Sequence, residues 1–257
     1  MTMLSINTNV GALKAASASY SVNKSMETSM QRLSTGKRIN SAADDAAGHQ
    51  IANRMTAEIM GLKQAIKNAA DAQALMGTAE GAIEEIQVML LRMRELAVQS
   101  SNATNSTADK ASLQLEAAQL ETEIQRTANN TTWAGKVLLN GTFSGDEDSA
   151  GRTFQIGTDS GQTIELSIPE LTATAVTIGY SAALSIGSFT GAQSAIVTID
   201  DGMSTLANVR ANIASKMNRL DHTIANLENV VTNLSQSKGR IVDADFATET
   251  ANLARTQ

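Results

Sequence analysis

A single apolar stripe runs through the C-terminal third of the sequence. Large apolar side chains recur there at gaps of three or four positions, and the positions between them carry mainly small or polar residues. The stripe consists of Leu206, Val209, Ile213, Met217, Leu220, Ile224, Leu227, Val231 and Leu234. This spacing predicts one amphipathic helix of roughly 45 Å, at about 1.5 Å per residue. So narrow an apolar stripe, called the seam below, can be buried only against other long helices. The rest of the chain should therefore supply the partner helices.

Three more helices are predicted in the N-terminal half. The first spans Asn9 to Leu33 and has a thin apolar face rich in Ala and Ser. The second follows Asp44-Asp45, whose carboxylates suit the positive end of a helix, and its apolar positions continue from Ile51 to Ala97. The third covers Asp109 to Ala128. The pattern therefore predicts a mainly α fold, a long antiparallel helix bundle or coiled coil that is built from both ends of the chain.

The middle of the chain has a different pattern. Alternating apolar and polar residues on both sides of Asp159-Ser160-Gly161 predict a small β-hairpin. Asn140-Gly141 predicts a turn before it, and Ser237–Arg240 interrupts the seam and precedes a last helix that starts at Ile241. The predicted segments are a terminal helix (1–40), the first part of a helical core (41–141), a β-rich segment (142–200), the seam helix (201–237) and a final helix (238–257).

Composition narrows the class of protein. The chain has one proline, no cysteine and few aromatic residues, so long helices can run uninterrupted while disulfides and thiol chemistry are excluded. Its net charge of −6 offers no general attraction to nucleic acid or to an anionic membrane. The N-terminus lacks the pattern of a cleaved signal peptide, and no window reaches the ~18 apolar residues of a membrane span.

Candidate chemistry is sparse. His49 and His222 belong to different predicted helices and lack neighbouring ligands, and the acidic run Asp146-Glu147-Asp148 lacks the spacing of a calcium loop. No catalytic or phosphate-binding motif occurs, so we expect neither enzyme activity nor a cofactor. The terminal helices have too few apolar side chains to form a buried core within a single chain. The sequence therefore favours a protein whose ends pack against copies of itself.

Several blocks of the sequence resemble the bacterial flagellins. They are Ser5–Asn9, Leu33–Asn53 (LSTGKRINSAADDAAGHQIAN), Arg92–Gln99, Arg219–Leu227 and Asp243–Ala247. The resemblance implies a secreted, extracellular subunit of the flagellar filament, with an all-α core and a β-rich segment that points outward. It also implies type III export without cleavage, and an export chaperone and the filament cap as partners. Residues 142–194 leave little room for the variable middle of the family, so the chain resembles a short flagellin.

The resemblance also suggests functional residues. Arg92, Glu95 and Leu96 match the family segment for Toll-like receptor recognition, although Leu91 stands where recognised members have Gln; a subunit contact is the alternative role. The seam residues Leu206, Ile213, Met217, Leu220, Ile224, Leu227, Val231 and Leu234 are expected to hold the core and to serve self-assembly. Because flagellins continue past the position of Gln257, we expect mobile terminal helices and little spontaneous polymerisation.

Two alternative functions stay open at this stage. The hook–filament junction protein shares the terminal pattern, and a flagellin-derived adhesin or glycan-binding protein belongs to another class. Adhesion would need an exposed aromatic or acidic platform in the middle of the chain. Phe143, Phe154, Tyr180 and Phe189 are too scattered in the sequence to predict one.

Overall fold

The computed structural model describes residues 9–144, 151–173 and 184–257. These contain five α-helices and two pairs of short strands. The helices are α1 (Val10–Thr35), α2 (Ala46–Ser100), α3 (Thr107–Asn130), α4 (Phe189–Val242) and α5 (Phe246–Thr256). The strands are β1 (Thr132–Trp133), β2 (Lys136–Val137), β3 (Arg152–Gln155) and β4 (Thr163–Leu166). The mainly α fold with a small β-hairpin region is confirmed. None of the described helices is apolar enough over sufficient length to cross a membrane.

Side-chain caps define the start of the first three helices. The Asn9 side chain accepts from the Ala12 amide at 3.1 Å, and α1 ends at Gly36 in the left-handed conformation. The Asp45 carboxylate accepts from the Gly48 amide at 2.9 Å, as the predicted role at the start of α2 requires. Ser106 and Asp109 form a reciprocal capping box at the start of α3.

The long C-terminal helix differs from the prediction at both ends. Helix α4 begins at Phe189, so residues 189–200 are helical rather than part of a β-rich segment. The run of β-branched residues at 196–199 favours a strand locally, but Ala192, Ala195 and Ile199 lie on one buried helical face, and that packing outweighs propensity. At the other end, α4 continues through the predicted break at 237–240 to Val242, because one glycine costs a helix only about 1 kcal/mol.

Two hairpins lie between α3 and α4. Strands β3 and β4 pair antiparallel with Phe154 opposite Ile164, which confirms the predicted hairpin. Strands β1 and β2 form a second hairpin that the sequence did not predict. Its turn is Ala134-Gly135, where both residues have positive φ (48° and 78°), and Ala is an uncommon choice for that conformation. The acidic run at 146–148, and residues 174–183 of the predicted β-rich segment, lie outside the described residues.

Contacts divide the chain into two units. The larger unit covers 62–228 and holds the main hydrophobic core. Its largest fully buried side chains include Met76, Ile83, Ile86, Leu90, Met93, Leu96, Ile124, Leu138, Leu139, Phe143, Ile164 and Leu166. Within this unit α2 and α4 run antiparallel, because polar contacts join Gln73 to Asp221 and Arg94 to Asp200. Arg210 lies between these contacts and binds Gln87 at 2.7 Å.

The smaller unit combines residues 1–61 and 229–257. In its described part, α1 packs along α5, and the loop after α1 binds the end of α4. The Arg38 amide donates to the Val242 carbonyl at 2.7 Å, and the Ala244 amide donates to the Gly36 carbonyl at 3.0 Å. These bonds satisfy a backbone carbonyl at the C-terminus of α4 and hold the two ends of the chain together.

Candidate assembly surfaces

A buried carboxylate joins α1 to α5. Glu249 of α5 is 6% exposed and accepts hydrogen bonds from the Ser29 hydroxyl at 3.0 Å and the Arg32 guanidinium at 2.9 Å. Burial raises the pKa of Glu249, but the hydrogen bonds from Arg32 and Ser29 outweigh it and leave that pKa below its ordinary value. The carboxylate therefore stays charged at neutral pH and fixes how α5 lies on α1.

Several large apolar side chains of α1 are exposed. Leu13 is 61% exposed and Tyr20 is 74% exposed, and Val10 and Met30 are also more than half exposed. Ser29, which meets α5, follows Tyr20 by nine residues, and at about 100° per residue this places it half a turn away from Tyr20. Phe246 of α5 is 70% exposed as well. An apolar face of this kind, away from the packed side, is typical of a protein–protein contact surface.

The predicted seam residues are buried to different degrees along α4. Leu206, Ile213 and Leu220 are fully buried in the core of the larger unit, while Met217 and Ile224 are half-buried against it. Further along, Leu227, Val231 and Leu234 are all half-buried. The regular spacing of the seam gave no sign of this gradient, because it reports only which side of the helix is apolar and not how many partners cover it.

The candidate receptor segment divides into an exposed and a buried part. Arg92 and Glu95 are exposed and bonded to each other, and Arg92 also binds Glu116 of α3 at 2.8 Å. Hydrogen bonds to Glu95 and Glu116 raise the pKa of Arg92. Leu96 is fully buried in the core, so its predicted contact role is wrong: a side chain without accessible surface cannot touch a partner. Leu91, together with Val88 and Val98, is exposed on the same helix.

No other chemistry gathers in the described residues. They contain no group of three or more His, Asp and Glu side chains that could hold a metal ion. His49 and His222 lie on α2 and α4, as expected.

Comparison with known proteins agrees with this architecture. Residues 6–144 match the bacterial flagellin N-terminal helical region, and residues 196–257 match the bacterial flagellin C-terminal helical region. A flagellin of Halalkalibacterium halodurans is 40% identical over 252 residues, covering 98% of this chain and 90% of that protein. Flagellin E of Vibrio cholerae is 31% identical, covering 99% of this chain and 93% of that protein.

Solved structures show the same likeness. The crystal structure of Bacillus cereus flagellin matches with a TM-score of 0.55 and 31% identity, covering 63% of this chain and 88% of that one. A putative flagellar hook-associated protein from Vibrio parahaemolyticus matches with a TM-score of 0.66 over 78% of this chain and 100% of that one, but its 16% identity speaks for the fold alone. The two helical regions and the close relatives together place the chain in the bacterial flagellin family, the structural subunits of the flagellar filament.

Proposed function

We propose that this filament subunit assembles with copies of itself mainly through the exposed apolar faces of α1 and α5. The observation that carries the proposal is the exposure of Leu13 and Tyr20, which lie on the side of α1 turned away from Ser29 and its partner Glu249 of α5. We place a second set of contacts on Leu227, Val231 and Leu234, three of the seam residues that this chain only half buries. Neighbouring subunits would complete the burial of both sets.

The energy available on these faces is sufficient for assembly. Fully burying a large apolar side chain contributes about 1.5–3 kcal/mol. Even half of that for each of the exposed side chains on α1 sums to several kcal/mol, and each 1.4 kcal/mol changes an association constant about tenfold. Ordering the terminal helices costs part of this gain, so assembly would be strongly concentration-dependent.

The cellular location of the protein follows from the same function. Flagellin relatives build an extracellular filament, and we infer that this chain is exported through the flagellar type III apparatus without cleavage. An export chaperone and the filament cap are its expected partners in transit and at the growing end. Arg92 and Glu95, with Leu91 beside them, form an exposed patch that would serve a subunit contact or recognition by a Toll-like receptor.

Sedimentation and electron microscopy test the assembly surface. The unaltered chain is compared with Leu13→Asp/Tyr20→Asp, which places two charges on the exposed face of α1. Ser21→Asp is the matched control, because Ser21 is exposed on the same helix and carries no apolar side chain. Because the sequence predicts little spontaneous polymerisation, the comparison is made at high protein concentration, where we expect the control to pellet to the same extent as the unaltered chain and the double variant to pellet less. Filaments of normal length from the double variant would contradict the proposal.

A further inference from the structure

The turn between β2 and the short 3₁₀ helix Thr142–Ser144 contains Asn140-Gly141, the only Asn-Gly pair in the sequence. Gly141 has a φ of 81°, in the left-handed region, which fits the turn that such a pair predicts. A Cβ atom on Gly141 would lie 3.2 Å from the Cβ of Glu170, closer than side-chain carbons normally pack. Both the backbone conformation and the packing therefore require glycine after Asn140.

The Asn140 side chain is held by the residue that follows the glycine. Its Oδ1 atom accepts hydrogen bonds from the Thr142 amide at 3.1 Å and from the Thr142 hydroxyl at 2.6 Å. Asn140 and Gly141 are half-buried and Thr142 is exposed, so water reaches the turn. Within the described part of the chain, no group accepts a hydrogen bond from the Gly141 amide. Three consecutive residues thus bring together an unbonded amide nitrogen, a side-chain carbonyl carbon and two donors on its oxygen.

We propose that Asn140 is a self-modification site, where the chain converts the side-chain amide to isoaspartate or aspartate with water as the only co-reactant. The Gly141 nitrogen loses its proton to a solvent base and attacks Asn140 Cγ. The new N–Cγ bond closes a five-membered succinimide, while the Cγ–Nδ2 bond breaks and Nδ2 takes up a proton and leaves as ammonia. Water then cleaves the imide. Cleavage between the Gly141 nitrogen and the Asn140 backbone carbonyl carbon gives isoaspartate, and cleavage of the N–Cγ bond gives aspartate.

The fold assists the first step in two ways. Negative charge develops on Asn140 Oδ1 as the nitrogen attacks, and the two donors of Thr142 already lie on that oxygen, as donors do in an oxyanion hole. Gly141 has no side chain that could shield its nitrogen or hinder ring closure. The glycine that the turn requires therefore also makes the site reactive.

The isoaspartate product disturbs the core of the larger unit. It lengthens the backbone by one carbon atom between Leu139 and Phe143, whose exposed fractions are 0% and 1%. The Leu139 carbonyl also accepts from the Leu171 amide at 2.7 Å. Because both neighbours are fixed in a closely packed interior, the segment cannot absorb the extra atom without moving a buried side chain. Modification thus limits how long an individual chain keeps its full stability.

Timed incubation of the full chain in mildly alkaline buffer tests the proposal. Peptide mapping by mass spectrometry, with isoaspartyl methyltransferase labelling, locates the modified positions. We expect isoaspartate and aspartate at position 140, with a matching release of ammonia. Asn40 and Asn105 are internal controls, because each precedes a serine and its Nδ2 donates to a backbone carbonyl, at 3.0 Å and 2.6 Å respectively. Both should stay largely unmodified while Asn140 reacts.

Variants of Thr142 test the part that the fold plays. Thr142→Val keeps the shape of the side chain and removes the hydroxyl donor, with unchanged circular dichroism of the fresh protein as the folding check. It should slow modification of the folded chain about tenfold, which corresponds to about 1.4 kcal/mol in the barrier, and Thr142→Ser should restore the rate. In the urea-unfolded chain Thr142→Val should have no effect. The melting temperature of the aged chain should fall below that of fresh Asn140→Asp, which adds the charge without lengthening the backbone.

Three rate measurements would overturn the proposal. The first is modification of Asn140 in the unfolded chain alone, which would show that the fold protects the site. The second is an equal or higher rate in folded Thr142→Val, which would mean that the hydroxyl restrains the side chain instead of assisting attack. The third is equal modification of Asn105 and Asn140, which would show that the turn selects nothing. An aged chain that melts like fresh Asn140→Asp would contradict the effect on the core.

Discussion

The two units of the chain bury their large apolar side chains to different degrees. In the unit formed by 62–228, large side chains such as Met76, Ile86 and Leu90 have no exposed surface at all. In the described part of the other unit, Leu13, Tyr20 and Phe246 are each more than 60% exposed, and the most buried tie between α1 and α5 is a carboxylate. The larger unit buries most of its large apolar side chains within the chain, although Leu115 and Val197 stay exposed, whereas α1 of the other unit leaves most of its large apolar side chains exposed.

The residue types explain this difference. The buried face of α2 combines Ile, Leu and Met with the small residues Ala69, Ala72 and Ala79, which let neighbouring helices approach closely. Helix α1 has mostly Ala, Ser, Asn and Lys between its few large apolar residues, too little to drive folding by itself. We expect the core of a subunit built in this way to fold before assembly, and its ends to gain most of their stability during assembly.

The largest effect is expected from Leu220→Asp, in the core of the larger unit. Leu220 has no exposed surface, so the variant buries an unpaired carboxylate and loses apolar contacts. The free energy of unfolding should fall by well over 3 kcal/mol. Chemical denaturation followed by circular dichroism measures it. Asn218→Asp is the control, because Asn218 is exposed on the same helix; equal melting of the two variants would show that Leu220 faces solvent.

A smaller loss is expected from Gln114→Ala in α3. The Gln114 amide donates to the Leu184 carbonyl at 2.7 Å, and its carbonyl oxygen accepts from the Ile186 amide. These bonds anchor the segment that enters α4, so their removal should cost about 2 kcal/mol, at about 1 kcal/mol for each. The same denaturation experiment applies. Gln119→Ala should change little, because Gln119 is exposed on the same helix.

The sequence predicts most of the helices, but it does not predict where the longest C-terminal helix begins and ends. The periodicity of the apolar residues was sufficient for the helices, since a long regular pattern has few alternative structures. It failed at the ends of α4, where tertiary packing outweighs the strand preference of residues 196–199 and the helix tolerates Gly239.

The candidate sites depended even more on tertiary structure. Leu96 stands in a block that matches the family segment, but only its place in the core shows that it touches no partner. Glu249 was missed because its partners Ser29 and Arg32 lie more than 200 residues away in the sequence, and no local pattern marks such a contact.

Glu249→Gln should loosen only the smaller unit. Loss of the charge-assisted bond to Arg32, which is partly exposed, should cost about 1 kcal/mol in the local stability of α5. Amide hydrogen exchange resolves this, with faster exchange in α5 and no change in the core of the larger unit. Glu27→Gln, an exposed change on α1, is the control. Equal acceleration in both units would mean that Glu249 supports the whole fold.

The same carboxylate predicts an acid effect. Because the pKa of Glu249 in the folded chain lies below its ordinary value of 4.5, its contribution is fully present above that value. The contribution is lost as the pH falls through the lowered pKa, since the proton then binds the unfolded form more readily. After correction for the intrinsic rate, exchange of α5 amides should therefore be unchanged from neutral pH down to about 4.5 and should accelerate below it, and Glu249→Gln should remove this dependence. An unaltered dependence in that variant would assign the effect to another group.

The smallest effect on the stability of the isolated chain is expected from Arg92→Gln. Arg92 binds Glu95 and Glu116 on the exposed side of α2, where water and salt screen such pairs. The melting temperature of the isolated chain should therefore stay within measurement error, at low and at high salt. Leu96→Ala, about one helical turn further along the same helix and fully buried, should cost about 2–5 kcal/mol. Filament length provides the second measurement: a defect from Arg92→Gln without loss of stability would assign the exposed half of this segment to subunit contact. A clear fall in the melting temperature of the Arg92→Gln variant would instead show that the ion pair with Glu116 stabilises the packing of α2 against α3. Arg92 would then contribute to the fold of the core.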